Sequence, residues 1–165
     1  VMSEINSSIW CEDLKNNFNL EAHKTYRLDP PEFNNEYLAA CWLIGYIDAD
    51  GCIYHCFRKG LNEELNLTFT SSSEKLLIWI KNFIDCFAID GRRKNRNTNI
   101  RKLNHANAFT YNVYGTRAAV LIDYLSKFNV PKLARKWQQP NVLNYIEQQK
   151  QNYPHYLNEK FLNIP

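Results

Sequence analysis

The amino-acid sequence predicts an α+β domain in which an antiparallel sheet carries helices on one face. Segments with helical spacing of apolar residues alternate with paired segments of strand-like alternation, in the order helix, hairpin, helix, hairpin, helix, helix. The length of 165 residues suits one domain with a sizeable core. The composition, 45% hydrophobic and 22% charged, is typical of a globular protein rather than a disordered one.

The first helix is predicted over residues 36–50, where apolar residues recur at helical spacing. Asn34 or Asn35 is placed to cap its N-terminus, since an Asn side chain accepts hydrogen bonds from the first backbone amides. Gly51 stands just after its last turn, where many helices end with a residue in the left-handed conformation. We therefore expect a left-handed Gly51.

A hairpin is predicted after this helix, with strands over residues 52–58 and 64–71. In the second strand, apolar residues alternate with Asn66, Thr68 and Thr70. Because successive strand residues point to opposite sides of a sheet, the hairpin should have one apolar and one polar face.

The second half of the sequence repeats this pattern. Ser72 or Ser73 is placed to cap the next helix. The remaining predicted elements are a helix over 74–87, a turn at Asp90–Gly91, strands over 92–102 and 109–114, a helix over 116–127 and a final helix over 132–149. Pro140 should kink the final helix or divide it in two. Residues 1–34 are predicted to be an N-terminal extension, and residues 35–165 one domain that includes the C-terminal helix and tail.

Composition narrows the classes of function. No apolar run approaches the roughly 20 residues of a membrane-spanning helix, so no membrane partner is expected. The first residues lack a secretory signal, which predicts an intracellular protein that is not secreted. The five cysteines form no CxxC pair; Cys52 and Cys56 lie four apart, but no second pair completes a zinc site. We interpret the cysteines as free thiols in a reducing compartment.

Basic residues are segregated towards the second half of the chain, although the formal net charge is only +3. Between residues 91 and 108 six basic residues occur without an acidic one: Arg92, Arg93, Lys94, Arg96, Arg101 and Lys102. Such segregation indicates a surface for a polyanion. A solvated loop rich in Lys and Arg is the alternative.

The most informative segment is residues 42–51, with the sequence WLIGYIDADG. Asp48 and Asp50 fall at the carboxyl end of the first helix, where a negative charge opposes the helix dipole at a cost of roughly 0.3–1 kcal/mol. A divalent cation would offset that cost. The segment resembles the LAGLIDADG motif of the homing endonucleases, with Ile44 in place of the first Ala and Tyr46 in place of the second Leu.

The resemblance implies that the αββαββα order forms a saddle-shaped sheet that straddles DNA. It also implies that a chain with one motif acts as a homodimer on a near-palindromic target, since two active sites are needed to cut both strands. The implied interface between the two motif helices is Leu43, Gly45, Tyr46 and Asp48. Gly45 would permit close approach of the helices, and Asp48 would have a structural role.

The resemblance also implies a metal-dependent hydrolysis of phosphodiester bonds. Asp50 is the implied metal ligand, with the backbone carbonyl of Ala49 or Gly51 completing the coordination. The expected cofactor is Mg²⁺, since hard cations select carboxylate oxygens and water, and Mn²⁺ or Ca²⁺ would substitute in binding.

Two helper groups follow from the resemblance. Lys136, and next to it Arg135, match a basic residue that stabilises charge or orients water; the alternative is that both bind phosphates. Ser72 or Ser73 stands where relatives carry a polar residue that positions water, and Ser73 is our prediction for that role.

Contacts with DNA are expected from outward strand positions and basic residues, because Asn and Arg read base edges and Thr contacts bases or phosphates. The predicted contacts are Tyr54, Cys56, Arg58, Glu64, Asn66, Thr68, Thr70, Arg92, Arg93, Lys94, Arg96, Arg101, Thr110, Asn112, Arg117 and Arg135. The alternative for the strand positions is a solvated polar face.

The sequence and the resemblance together predict a site-specific double-strand DNA endonuclease encoded by an intron or another mobile element. Its expected location is wherever its target DNA lies, in a prokaryotic cytoplasm or an organelle. The alternative function is an RNA maturase that assists intron splicing and binds intron RNA, or a non-cleaving DNA-binding protein on the same fold.

Overall fold

A computed structural model of the chain describes residues 29–57, 63–86, 99–104 and 106–152, together with residues 12 and 16. The predicted α+β fold is confirmed. In chain order the elements are α1 (Glu36–Ala49), β1 (Cys52–Cys56), β2 (Glu64–Ser71), α2 (Glu74–Cys86), β3 (Arg101–Lys102), β4 (Phe109–Tyr114), α3 (Gly115–Ser126), α4 (Ala134–Trp137) and α5 (Pro140–Asn152). None of the helices within the described ranges has the length and apolar character to cross a membrane.

The four strands form one antiparallel sheet in the order β1-β2-β4-β3. Strands β2 and β4 lie in the centre and pair from Asn66 opposite Tyr114 to Ser71 opposite Phe109. The predicted alternation is observed in β2, where Leu65, Leu67 and Phe69 are fully buried. These residues define the inner face of the sheet, and the positions between them define the outer face.

The core lies between the inner face of the sheet and the helices. Helices α1, α2 and α3 each contribute an apolar stripe, since their buried residues recur at helical spacing. The fully or almost fully buried helical side chains are Leu43, Ile44 and Ile47 from α1, Leu76, Leu77, Ile80 and Ile84 from α2, and Leu121, Ile122 and Leu125 from α3. Their burial holds the carboxyl end of α1 against the sheet.

Helix α1 begins and ends where the sequence predicts, within one residue. Asn35 is the cap, because its side chain accepts a hydrogen bond of 2.8 Å from the Leu38 amide. The prediction of a left-handed Gly51 is wrong, since the one described glycine with positive φ is Gly115. Gly51 is instead required by close approach: a Cβ atom there would lie 2.6 Å from the Ile47 Cα.

The final helical segment is divided at Pro140, as predicted. Helix α4 ends at Trp137, and α5 begins at Pro140, whose missing N–H costs nothing in the first helical turn. Helix α3 begins at Gly115 rather than Thr116, and Gly115 has a φ of 60°, a conformation that other residues rarely adopt. This glycine lets β4 pass directly into α3.

The segment before α1 docks on the domain. Phe33 packs on Trp42 and Trp79, with ring centroids 6.2 and 5.7 Å apart, and Asp29 pairs with Lys75 at 3.1 Å. The turn at Asp90–Gly91, most of the strand predicted over 92–102, most of the N-terminal extension and the C-terminal tail lie outside the described residues.

Candidate functional site

The carboxyl end of α1 meets α4 through Asp48. One oxygen of the Asp48 carboxylate accepts a hydrogen bond of 3.0 Å from the Leu133 amide, and the other accepts one of 2.6 Å from the Trp137 indole N–H. Both partners belong to the same chain, and Trp137 is buried. Asp48 therefore has the predicted structural role, but it joins α1 to α4 of its own chain in this structure rather than joining two copies of α1.

Lys136 neutralises the same end of α1. Its ammonium group donates hydrogen bonds to the carbonyl oxygens of Ile47 and Asp48, both at 2.8 Å, and of Gly51 at 2.7 Å. These three bonds use all three donors of the group. The positive charge lies where it offsets the negative end of the helix dipole.

These contacts correct two predictions. Lys136 is an internal cap of α1, with no donor left to orient a water molecule or bind a phosphate. The carbonyl of Gly51 accepts a hydrogen bond from a cationic group, whose positive charge disfavours a metal ion at the same oxygen. The neighbouring Arg135 is exposed.

Asp50 differs from Asp48 in its surroundings. It forms the C-cap of α1 with φ of −113° and ψ of −9°, and its side chain is exposed. No described residue donates a hydrogen bond to its carboxylate or forms an ion pair with it. Ala49, beside it, is exposed too. The Asp50 carboxylate and the Ala49 carbonyl are therefore oxygen ligands of the kind that a hard cation selects.

Tyr46 connects this end of α1 to the end of β2. Its hydroxyl donates a hydrogen bond of 2.7 Å to the Thr70 carbonyl. Burial raises the pKa of Tyr46, a hydrogen bond with Ser71 lowers it, and the negative charge of Asp50 raises it further. Sequence reasoning placed Tyr46 at a dimer interface, whereas its phenol is bound within its own chain.

The polar residue at the end of β2 is Ser71, not Ser73. Ser73 is buried, with 3% of its surface exposed, and its hydroxyl caps α2 by accepting from the Leu76 amide at 3.3 Å. The prediction of a water-positioning role for Ser73 is therefore wrong. Ser71 accepts a hydrogen bond of 3.0 Å from the Ser73 amide and lies beside Tyr46. Sequence reasoning missed Ser71, which ends the strand one residue before Ser72.

The side of α1 opposite its buried residues carries apolar and small side chains. Leu38, Trp42, Gly45 and Ala49 follow one another at helical spacing on this side, which we call the outward stripe. Of these, Trp42 is partly buried and packs on Phe33 and Trp79. Leu38 is 47% exposed, and a Cβ atom on Gly45 would meet nothing within 4 Å. Leu43, predicted for an interface, is fully buried in its own core and lies outside the stripe.

The outer face of the sheet consists of rows of side chains set by the strand register. From one edge to the other, the rows are Tyr54, Asn66 and Tyr114; Cys52, Thr68 and Asn112; and Thr70, Thr110 and Arg101. Tyr54 and Arg101 are exposed, while Thr68, Thr70, Thr110, Asn112 and Cys56 are partly exposed. The structure thus brings most of the predicted strand positions together on one polar face.

Three predicted DNA contacts are placed differently. Arg117 forms an ion pair with Asp85 and is only partly exposed, so its charge is already paired within the chain. The carboxylate of Glu64 lies near Gly115 and the Tyr145 hydroxyl, at the edge of the face. Asn66 is 3% exposed. Arg58, Arg92, Arg93, Lys94 and Arg96 lie outside the described residues.

Comparison with known proteins identifies the family of this chain. The family model described as a LAGLIDADG-like domain matches residues 38–128, which is more than half of the chain. The chain belongs to the LAGLIDADG family. A search of curated proteins finds no match.

Solved structures similar to this LAGLIDADG chain are homing endonucleases. I-CvuI in complex with the I-CreI target is 19% identical over 76% of this chain and 73% of its own, with a TM-score of 0.48. I-LtrWI bound to target DNA is 17% identical over 92% of this chain, with a TM-score of 0.48. I-SmaMI bound to cleaved DNA is 16% identical over 92%, with a TM-score of 0.47. This chain spans about half the length of the last two, 48% of each.

The metal chemistry available to the LAGLIDADG chain is that of oxygen ligands. Within the described ranges no three His, Cys, Asp or Glu side chains are close enough to hold a metal ion together. Cys52 is exposed and Cys56 partly exposed, and both are free thiols. Asp50 is the carboxylate at the motif to which no described residue donates a hydrogen bond.

Proposed function

We propose that this chain is a site-specific DNA homing endonuclease that cuts both strands of a near-palindromic target as a homodimer. The observation that carries the proposal is the exposed, unpartnered Asp50 carboxylate at the end of a helix whose outward stripe is apolar. A protein that only bound nucleic acid would gain nothing from an exposed acid beside phosphate, because the charges repel each other. This contrast favours cleavage over the maturase or a non-cleaving binder.

The outward stripe of α1 supports assembly of two copies. Leu38, Gly45 and Ala49 of this stripe are exposed, on the side of α1 opposite its buried residues, which is typical of a helix with apolar residues on both sides. Gly45 has no role in its own chain, since its missing side chain leaves open space. A second α1 packed along this stripe would bring two Asp50 residues near the two-fold axis.

The residues around Asp50 fit a hard divalent cation. Asp50 of each copy and the Ala49 carbonyl would hold Mg²⁺, with Mn²⁺ or Ca²⁺ able to take its place in binding. Such an ion supplies an activated water and neutralises charge on the phosphate. The chain itself holds the Asp50 backbone in place through the bonds of Lys136 to Gly51 and of Asp48 to Trp137.

The polar outer face of the sheet and the basic residues are the proposed DNA surface. Arg101 and Arg135 are exposed and would neutralise phosphates or read bases. The proposed partners are double-stranded DNA and a second copy of this chain, and the proposed location is the compartment that contains the target DNA.

The test is selection of cleaved sites from a randomised duplex library by the wild-type protein in Mg²⁺. We expect cut products from the wild type and a loss of cutting by roughly 100-fold or more in Asp50→Asn, because a metal ligand is removed. Asp50→Asn should still bind the selected duplex in Ca²⁺, since the DNA surface is unchanged. Asp29→Asn, a change to an exposed acid paired only with Lys75, is the matched control and should cut normally.

Wild-type protein that fails to cut in Mg²⁺ or Mn²⁺, or Asp50→Asn that cuts at the wild-type rate, would contradict the proposal. Tight binding of structured intron RNA by a wild-type protein that cuts no DNA would favour the maturase alternative instead.

A further inference from the structure

The centre of the outer sheet face is uncharged. The two adjacent rows of Tyr54, Asn66 and Tyr114 and of Cys52, Thr68 and Asn112 contain no Lys, Arg, Asp or Glu. The neighbouring row ends in Arg101, the one cation among the described strand residues of this face. Because guanine is most often read by Arg or Lys, the chemistry of the centre differs from that of the edge.

Thr68 and Asn112 form a fixed pair within these rows. They are cross-strand partners on β2 and β4, and the Thr68 hydroxyl donates a hydrogen bond of 2.6 Å to the Asn112 Oδ1. This bond holds the plane of the Asn112 amide against Thr68, and with the hydroxyl as donor the Oδ1 lies on the Thr68 side. Both Nδ2 hydrogens and the second lone pair of Oδ1 stay available, and both residues are partly exposed.

A fixed Asn amide matches adenine. In the major groove adenine presents the N7 acceptor beside the N6 amino donor, and an Asn side chain binds both through Nδ2 and Oδ1. Guanine presents two acceptors, so its O6 would face the Asn112 Oδ1 without a proton between them. Rotation of the amide would not relieve that conflict, because Oδ1 would then face guanine N7. Asn112 therefore discriminates against guanine in either orientation, and Thr68 serves to hold the amide in place.

We infer that the Thr68–Asn112 pair is an adenine-specific reading site, in which Asn112 contacts the base and Thr68 holds its amide in orientation. The inference rests on the proposed function, since it takes the outer face to bind DNA. It adds two statements about the target. Each half of the target carries a required A·T pair opposite the centre of the sheet, and the residue that discriminates this pair is uncharged.

Asn66, in the adjacent row, has related chemistry but a different position. It is 3% exposed, its Oδ1 has no hydrogen-bond partner, and its Nδ2 reaches the Glu64 carbonyl only at 3.5 Å. A buried acceptor without a donor is costly unless a ligand or water supplies one. Because this oxygen is buried, it does not face a base edge, and Asn112 is the partly exposed amide of the two rows.

The experiment is binding selection from a randomised duplex library with Asp50→Asn protein in Ca²⁺, so that cutting does not deplete the tightest sites. We expect one enriched adenine in each half-site whose preference is lost when Asn112→Ala is added, at a cost of about 5- to 150-fold in affinity for the enriched duplex. Replacing that adenine with 7-deazaadenine, which lacks the N7 acceptor, should weaken binding of the Asn112 protein and leave the Asn112→Ala protein unaffected.

Thr68 is tested as a positioning residue by a pair of variants. Thr68→Val keeps the shape and removes the hydroxyl, so preference for adenine over guanine should fall at the same base position. Thr68→Ser restores the hydroxyl and should restore the preference. Arg101→Ala is the matched control, and it should leave the adenine position unchanged.

The outcomes separate the two claims. A library that yields no enriched sequence overturns the proposed DNA-binding function together with the adenine inference. Enriched sequences whose preference does not respond to Asn112→Ala, or whose responding position is not adenine, overturn the adenine inference alone. An unchanged preference in Thr68→Val overturns the positioning role of Thr68.

Discussion

Two aspartates two positions apart at the end of α1 have opposite environments. Asp48 receives hydrogen bonds from Leu133 and Trp137, whereas Asp50 has no partner among the described residues. The charge that Asp48 places against the helix dipole is offset by Lys136. The unfavourable interaction between the aspartates of the motif and the helix dipole is therefore partly offset within the chain. Asp50 remains available for another function.

The first prediction concerns Lys136. Lys136→Met should lower the free energy of unfolding by about 1–3 kcal/mol, because three carbonyl oxygens lose a charged donor while the methylene stem is kept. Arg135→Met, at the exposed neighbouring position, should have no measurable effect. Urea denaturation of both variants provides the measurement. Equal stability of the two variants would show that the three hydrogen bonds contribute nothing.

At the residue scale, sequence reasoning succeeded where the rule is local. Asn34 or Asn35 was predicted as a cap from the position before an apolar helix, and Asn35 is the cap in the structure. The partners of Lys136 lie 85 to 89 residues away along the chain, so no spacing rule reveals them. Gly51 was predicted correctly as the residue after the helix end, but the predicted reason, a left-handed conformation, was wrong. The actual reason is the close approach of its Cα to Ile47, which depends on the path of the chain after α1.

Helices α3 and α5 are joined by an ion-pair cluster around the buried Asp123. The Asp123 carboxylate lies 2.9 Å from the Lys127 ammonium and 2.8 Å from that of Lys150, and Lys150 also binds Glu147. Burial alone would raise the pKa of Asp123, but the bonds from Lys150 and Lys127 outweigh it, so the pKa is lowered. Asp123 thus stabilises the contact between the two helices when it is ionised.

The second prediction follows from that lowered pKa. Asp123→Asn should destabilise the fold at pH 7 by about 1–3 kcal/mol, because two lysines lose a charged acceptor. A lowered folded pKa gives stability that is present above the usual Asp value of about 3.9 and is lost as the pH falls through the folded value. The difference between wild type and variant should therefore shrink below about pH 4. Denaturation at several pH values tests this, and a difference independent of pH would contradict it.

At the element scale, local periodicity predicted most of the described helices and strands within two residues. Pro140 divides the last helix because proline has no backbone N–H to donate to the preceding turn. This is a local property of the residue, so the sequence alone predicts the break. The start of α3 was misplaced by one residue, since the φ of 60° at Gly115 depends on the angle between β4 and α3. The polar residue at the end of β2 was misplaced too, because the sequence does not show which serine there turns back into the core.

At the scale of the whole molecule, the fold class followed from the order of elements alone, because each hairpin must bury its apolar face under a helix. Assembly into a dimer does not follow from the order of elements in the same way. A single chain accounts for the burial of Leu43, Ile44 and Ile47, but not for the outward stripe. Gly45 is the residue that most specifically supports the proposed dimer, because a glycine inside a helix is unfavourable unless a neighbouring group needs the space.

The third prediction uses the opposite effects of one substitution on folding and assembly. Gly45→Ala should stabilise the isolated fold by roughly 0.5–1 kcal/mol, since Ala is the better helix former and its Cβ meets nothing within 4 Å. The same methyl group should weaken a dimer in which two helices meet at Gly45, and Gly45→Leu should weaken it further. Sedimentation equilibrium measures the dissociation constant of the dimer. Urea denaturation at protein concentrations below that constant measures the free energy of unfolding of the monomer.

The substitution Ile78→Ala, at an exposed position of α2, serves as a control that should leave assembly unchanged. A wild-type protein that is monomeric at micromolar concentration, or a dimer constant unaffected by Gly45→Leu, would show that α1 does not form the interface.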